Sequence, residues 1–184
     1  NKYSAYDHLN LKLDKNGKLT YQNEKNKLNK IPLEDICVEA VPATAMLLRK
    51  KFISKLKGWD ENIYTYHEDL DICLRLRKKS FQIIKTPRAI VHHVGFGSHS
   101  SKNKEKAEKS RNWHYSWSSL YFKQKHGSKV DFFIFYLKNM IKYFLKTLIN
   151  FCIFKRKKTV FNFMRLRACM NYLFIKKASF RVKI

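Results

Sequence analysis

Acidic residues are scarce in this chain. Only 14 Asp and Glu stand against 39 Lys and Arg, which leaves a formal net charge of +25. Such an imbalance points to a polyanionic partner: nucleic acid, an anionic membrane surface, or phosphorylated substrates. An AT-rich coding composition is the plain alternative for part of the lysine excess. No RNP, KH or zinc-finger pattern is present, so nucleic acid is not the expected partner. Cysteine is scarce too. Cys37, Cys73, Cys152 and Cys169 show no Cys-x-x-Cys spacing and no zinc pattern with His. Free, mostly buried thiols in a reducing compartment are expected. No charge-free apolar run of about 20 residues is present, so a membrane span is not expected. No secretory signal is visible.

What is present is unevenly spread. Length 184 is enough for one domain with a sizeable core. Residues 130–184 carry 13 Lys and Arg and one acid, Asp131, so the tail is about twice as basic per residue as the rest. The first 35 residues are polar. Asp14-Lys15-Asn16-Gly17-Lys18 is a turn signal between Leu11-Lys12-Leu13 and Leu19-Thr20-Tyr21, which predicts a β-hairpin. The run from Val38 reads as a buried strand ending near Leu48, then a helical turn through Phe52 and Leu56. Residues 68–80 read as a helix, Phe81-Gln82-Ile83-Ile84 and Ala89-Ile90-Val91 as short strands, and Ser100 to Ser110 as a charged loop or lid. Trp113, Trp117 and Tyr121 recur every four residues on an amphipathic helix that ends at Gly127 as its C′ residue. Arg111 and His114 on that helix could reach a phosphate.

Asp131 to Phe154 is strongly apolar but is interrupted by Lys138, Lys142 and Lys146. An in-plane interfacial helix fits this better than a span. Lys155-Arg156-Lys157-Lys158 follows, as contact with anionic headgroups would require. A helical hairpin buried against other protein is the alternative.

The chemistry-bearing stretch is Gly58 to Ser98. Glu68, Asp69 and Asp71 put three carboxylates within four residues, and His92-His93 follow about two dozen residues later. Such a cluster is a candidate for metal binding or general-base catalysis. From the residues alone capping is the favoured account: Glu68 and Asp69 fall in a helix first turn, and Asp71 can pair with Arg75 at i,i+4. Trp59 reads as a core residue, and Asp60 as a cap for the turn that follows.

Gly58-Trp59-Asp60-Glu61, Tyr66-x-Glu68-Asp69-x-Asp71-x-x-x-Arg75, Pro87-x-Ala89-x-Val91-x-His93 and Gly95-x-Gly97-Ser98 resemble the C-terminal half of the catalytic domain of family 2 glycosyltransferases. The likeness is to rhamnosyltransferase-like members that build cell-surface polysaccharide. The resemblance implies an α/β fold, the C-terminal part of a GT-A domain over residues 1–127, followed by a basic amphipathic helical tail over 128–184. No Asp-x-Asp motif or strand–Gly–helix opening precedes Gly58, and the chain is expected to be the second half of a larger enzyme. The function implied is transfer of a sugar from a nucleotide-sugar donor to a saccharide or lipid-linked acceptor, with inversion, at the cytoplasmic face of the inner membrane. By the resemblance Asp69 is the general base, assisted by Glu68. Trp59, Asp60, Asp71 and Arg75 bind the acceptor or support the base. His93, rather than His92, holds a divalent cation (Mn²⁺ or Mg²⁺) or the donor diphosphate, and Gly95, Gly97 and Ser98 belong to a mobile lid. Family members often carry Gly where Ala43–Ala45 stand here, close to the donor. A non-catalytic membrane-surface or interaction module is the competing reading. An exposed sheet edge and poor solubility are expected of the isolated half-domain.

Overall fold

The computed structural model describes residues 10–13, 19–22, 34–91, 104–174 and 178. These residues form two compact units. One comprises the described residues up to 60 with 68–91; the other comprises 61–67 with 104–174 and 178.

In the first unit, β1 (Asn10–Leu13) and β2 (Leu19–Gln22) pair antiparallel, with Leu11 opposite Tyr21 and Leu13 opposite Leu19. This is the hairpin that the turn signal predicts. A second short ladder joins β3 (Ile36–Cys37) to β4 (Ile84–Lys85). The expected strand from Val38 to Leu48 does not form. Pro42 offers no amide to a ladder, and a single 3₁₀ turn (Ala43–Ala45) follows it. Ala89-Ile90-Val91 likewise forms no strand. Among the described residues the architecture is therefore mostly helical, and the expected α/β GT-A architecture is not what this chain builds. No central sheet with an open edge is present among them either.

Helix α1 (Lys50–Lys55) closes in a Schellman motif: Gly58 N donates to Ile53 O and Lys57 N to Ser54 O. Lys57 and Gly58 both take positive φ there, 58° and 77°. Helix α2 (Glu68–Lys78) closes the same way, with Phe81 N on Leu76 O, Ser80 N on Arg77 O and Ser80 at φ 62°. Its apolar face, Ile72, Cys73 and Leu76, joins Ile83 as a core. Val41, Phe52, Ile53 and Phe81 pack around that core, and the Phe52 and Phe81 rings stack at 4.2 Å.

The second unit is three helices, α3 (Lys104–His126), α4 (Lys129–Cys152) and α5 (Arg156–Tyr172), with α5 packed on both others. Residues 104–110, expected in a lid, are helical: Lys109 pairs with Glu105 at i,i+4 and lengthens α3 at its start. Trp113 and Trp117 are fully buried and stack at 6.3 Å, and Tyr172 closes on Trp117 at 5.4 Å. The four-residue aromatic rhythm is thus the core stripe. Gly127 separates α3 from α4 without positive φ. Its amide bonds Lys123 O, and a Cβ there would lie 2.7 Å from that carbonyl. Close approach, not a left-handed cap, demands the glycine. Ser128 then caps α4 by accepting from Asp131 N. Segment 61–67 is tied to the bundle by side chains of α3. Ser118 Oγ donates to Thr65 O at 2.8 Å, Asn62 Nδ2 to Tyr121 Oη at 3.1 Å, and Arg111 Nε to Tyr66 Oη at 2.6 Å.

Candidate active site

The carboxylate triplet lies in the first turn of α2, and the structure divides it in two. Asp71 is buried and ion-paired with Arg75 at 2.7 Å. The same guanidinium donates to Leu56 O and Gly58 O, each at 2.9 Å. Arg75 therefore gathers two carbonyls of the turn that follows α1 and the charge of Asp71 on one planar fork. This is a structural clamp that fixes the Gly58 turn to α2.

Asp69 has no cation on it among the bonds described. It is 6% exposed. Its Oδ1 accepts from Leu70 N at 2.8 Å, and its Oδ2 from Ala43 N at 3.4 Å. Ala43 opens the 3₁₀ turn, whose residues Ala43, Thr44 and Ala45 are all exposed. A buried carboxylate is thus bonded to an open turn of small residues. Burial pushes the Asp69 carboxyl above the ordinary aspartate range, and the amides of Leu70 and Ala43 act against that rise. Glu68 is raised as well, first by burial and then by the charge of Asp69, and its own amide opposes the rise. The Glu68 Oε2 atom is buried and has no hydrogen-bond partner among the described residues. Desolvation thus opposes full ionisation of the pair at the helix start.

The other sequence-predicted residues are dispersed. Trp59 is 41% exposed, so the core reading of it fails. Asp60 is half-buried beside it in sequence. His92, His93, Gly95, Gly97 and Ser98 lie outside the described residues. Among the described residues no three His, Cys, Asp or Glu side chains are gathered so as to hold a metal ion. Two shallow pockets lie among the described residues. One, of about 350 Å³, lies between Val38, Glu39, Arg77 and Phe81. The other, of about 140 Å³, is lined by Tyr115, Ser116, Asn139, Lys142 and Tyr143 in the helical unit. Neither is lined by Glu68 or Asp69. His114, expected to reach a phosphate, is fully buried against Tyr64 at 4.8 Å and Trp113 at 5.0 Å. Cys73 and Cys169 are buried free thiols whose pKa burial pushes to about 11 and about 12, which leaves them unreactive. Cys37 and Cys152 are exposed rather than buried.

His67 was missed by the sequence reading. Its ring packs against Tyr115 at 5.8 Å and Phe122 at 5.5 Å, with Ser119 Oγ 3.4 Å from Nε2. Burial draws its pKa down to about 4. It and Tyr66 are consecutive left-handed residues, at φ 68° and 65°. Neither is glycine, and such conformations cost on the order of 1 kcal/mol each. The sequence signal available was only a Tyr-His pair in an otherwise polar loop. No family model, curated protein or solved structure matches the chain.

Proposed function

We propose that this chain supplies the acceptor side of a glycosyl transfer, with Asp69 as the general base. One observation carries the reading: the Asp69 carboxylate is buried and aimed by two backbone amides, one of them from the exposed small-residue turn at Ala43. A base so placed is oriented, and its raised pKa moves it toward the poise that proton abstraction needs. The motif resemblance over Gly58 to Ser98 supplies the substrate class. The activity is proposed without the GT-A architecture, which the fold does not show.

In the reaction, the acceptor hydroxyl gives its proton to Asp69. The freed oxygen pair forms the bond to the anomeric carbon of the nucleotide sugar. The bond from that carbon to the diphosphate oxygen breaks, with inversion, and the diphosphate leaves with the electron pair. Glu68 precedes the base in the first turn of α2, and its own carboxyl is raised by burial and then by the charge of Asp69. Trp59, open to solvent, is a surface on which a sugar ring can stack. Asp71 and Arg75 hold the frame. The Mn²⁺ or Mg²⁺ that the resemblance implies would be held by His93 and would offset charge on the departing diphosphate.

The test is turnover by the product of the complete gene across a panel of nucleotide sugars, comparing wild type with Asp69→Asn. Loss of the base lowers the rate by about 10²- to 10⁴-fold. Asn keeps one acceptor oxygen and puts an NH2 donor in place of the other, so one of the Leu70 and Ala43 amides loses its partner and a modest drop in melting temperature accompanies the variant. Undiminished turnover in the variant, or no transfer by the wild type from any donor, overturns the reading.

A further inference from the structure

Helix α4 has two apolar faces, and the bundle uses one of them. Phe132, Phe135, Tyr136, Met140 and Tyr143 point into the core with α3 and α5. On the opposite side Val130, Phe133, Leu137, Ile141, Phe144 and Leu148 recur at three- and four-residue steps, and each is between 42% and 69% exposed. Leu145 (49%) and Phe151 (70%) widen and extend this stripe. It runs about 30 Å along the helix. Its end is marked by Phe154, 93% exposed and held at φ 55° in the Schellman turn that closes α4. Contiguous apolar surface of this extent marks a contact surface.

Charge decides what kind of partner fits. Lys138, Lys142 and Lys146, spaced by four, lie along one flank of the stripe and are exposed. Lys155, Arg156, Lys157 and Lys158 follow its far end and are exposed as well. The one acid on α4, Asp131, sits in its first turn. A second copy of a chain with charge +25 meets strong like-charge repulsion at such a surface. No helix among the described residues is long and apolar enough to cross a membrane. An apolar stripe edged by lysines instead lies in the plane of a bilayer: the side chains of the stripe enter the acyl boundary and the ammonium groups meet anionic headgroups.

We infer that α4 is a membrane-interface helix, whose outer face docks on an anionic phospholipid bilayer. This stands on α4 alone and holds whether or not Asp69 is a base.

The test is co-flotation of the full chain with vesicles of phosphatidylcholine alone or with a phosphatidylglycerol fraction. Binding is expected to the anionic vesicles and to weaken as salt rises. Reversing Lys138, Lys142 and Lys146 to Glu lowers affinity at least about a hundredfold, at about fivefold or more per lysine. Leu137→Glu with Phe144→Glu, both at exposed positions, abolishes binding while circular dichroism and melting hold. Wild-type binding that is indifferent to the anionic lipid overturns the inference, as does binding unaffected by the stripe variant. A monomer–dimer equilibrium in lipid-free sedimentation that Leu137→Glu removes would assign the face to a second copy instead. Equal capture by duplex DNA and by anionic vesicles would reduce it to bulk charge.

Discussion

Along α2, seven of eleven residues are buried, and two of those are aspartates; α4 buries one residue of twenty-four, Tyr143, and leaves Phe, Ile and Leu in solvent. Soluble chains ordinarily do neither, because buried charge is costly and exposed apolar patches are kept small. The two helices break the rule in opposite senses, and each break has its own chemistry. On α2 the first aspartate is held by amides and the second by an arginine. On α4 the exposed hydrocarbon is edged by lysine. The comparison separates a carboxylate held by a cation from one held by amides alone, and the apolar residues that make the core from those left in solvent.

The sharpest way to break this comparison is to remove Arg75. Asp71 is 1% exposed and would lose this ion pair, and the carbonyls of Leu56 and Gly58 would lose the guanidinium. Loss of one partner of such a pair costs about 3–5 kcal/mol. Arg75→Met is therefore expected to lower the urea midpoint severely, while Asp71→Asn with Arg75→Met recovers part of the loss. Equal losses in the two variants would show that the carbonyl contacts, not the charge, dominate. Arg75→Lys should restore little, since a single ammonium cannot span three acceptors.

How far the sequence carries differs between the two helices. The extent of α2 and the Asp71–Arg75 pair are both readable from spacing, and both are present. The amide of Ala43 on Asp69 is not readable, because it joins residues 26 apart through a 3₁₀ turn that the apolar run from Val38 disguises as a strand. Alternation and apolar content report a buried, extended segment. They cannot report whether a partner strand accepts it, and Pro42 limits that acceptance. For α4 the helix itself was legible from the apolar run and the lysine period. The bundle face was not, because Tyr136, Met140 and Tyr143 look no different in sequence from Leu137, Ile141 and Phe144. Only the packing of α5 says which set is inside. The aromatic rhythm of α3 was the most legible feature, since Trp at i and i+4 on one face has few places to go but the core.

Acid should sharpen the contrast between buried groups. His67 in the fold titrates near 4, against about 6.5 in an unfolded chain. Between those values the unfolded state takes up a proton that the fold refuses, so stability falls as pH falls through that window. The loss is on the order of 2–3 kcal/mol when pH has reached 4. The raised Glu68 and Asp69 act in the opposite sense: they favour the fold while protonated and lose that favour as pH rises through their folded pKa values. Chemical denaturation from pH 4 to 8 should therefore show a rise assigned to His67. His67→Asn, which tolerates the left-handed backbone, should be less stable at pH 7 but flatter across the window. An unchanged slope would place the acid sensitivity on another group.

The smallest expected effect compares the two helix-ending glycines. At Gly58, φ is 77° and a Cβ would meet nothing within 4 Å, so Gly58→Ala carries only the left-handed strain, about 1 kcal/mol. At Gly127 the backbone is ordinary, but the Cβ would press on Lys123 O at 2.7 Å. Backbone on both sides of that contact is helix and its cap, so relief requires the junction from α3 to α4 to shift. Gly127→Ala is expected to cost more than Gly58→Ala and to loosen the start of α4, seen as faster amide exchange at 129–132. Gly58→Ala should instead loosen the carbonyls that Arg75 holds, and its cost should shrink in an Arg75→Met background, where the clamp on Gly58 O is already gone. Additive losses from Gly58→Ala and Arg75→Met would mean that the clamp does not depend on the turn it grips.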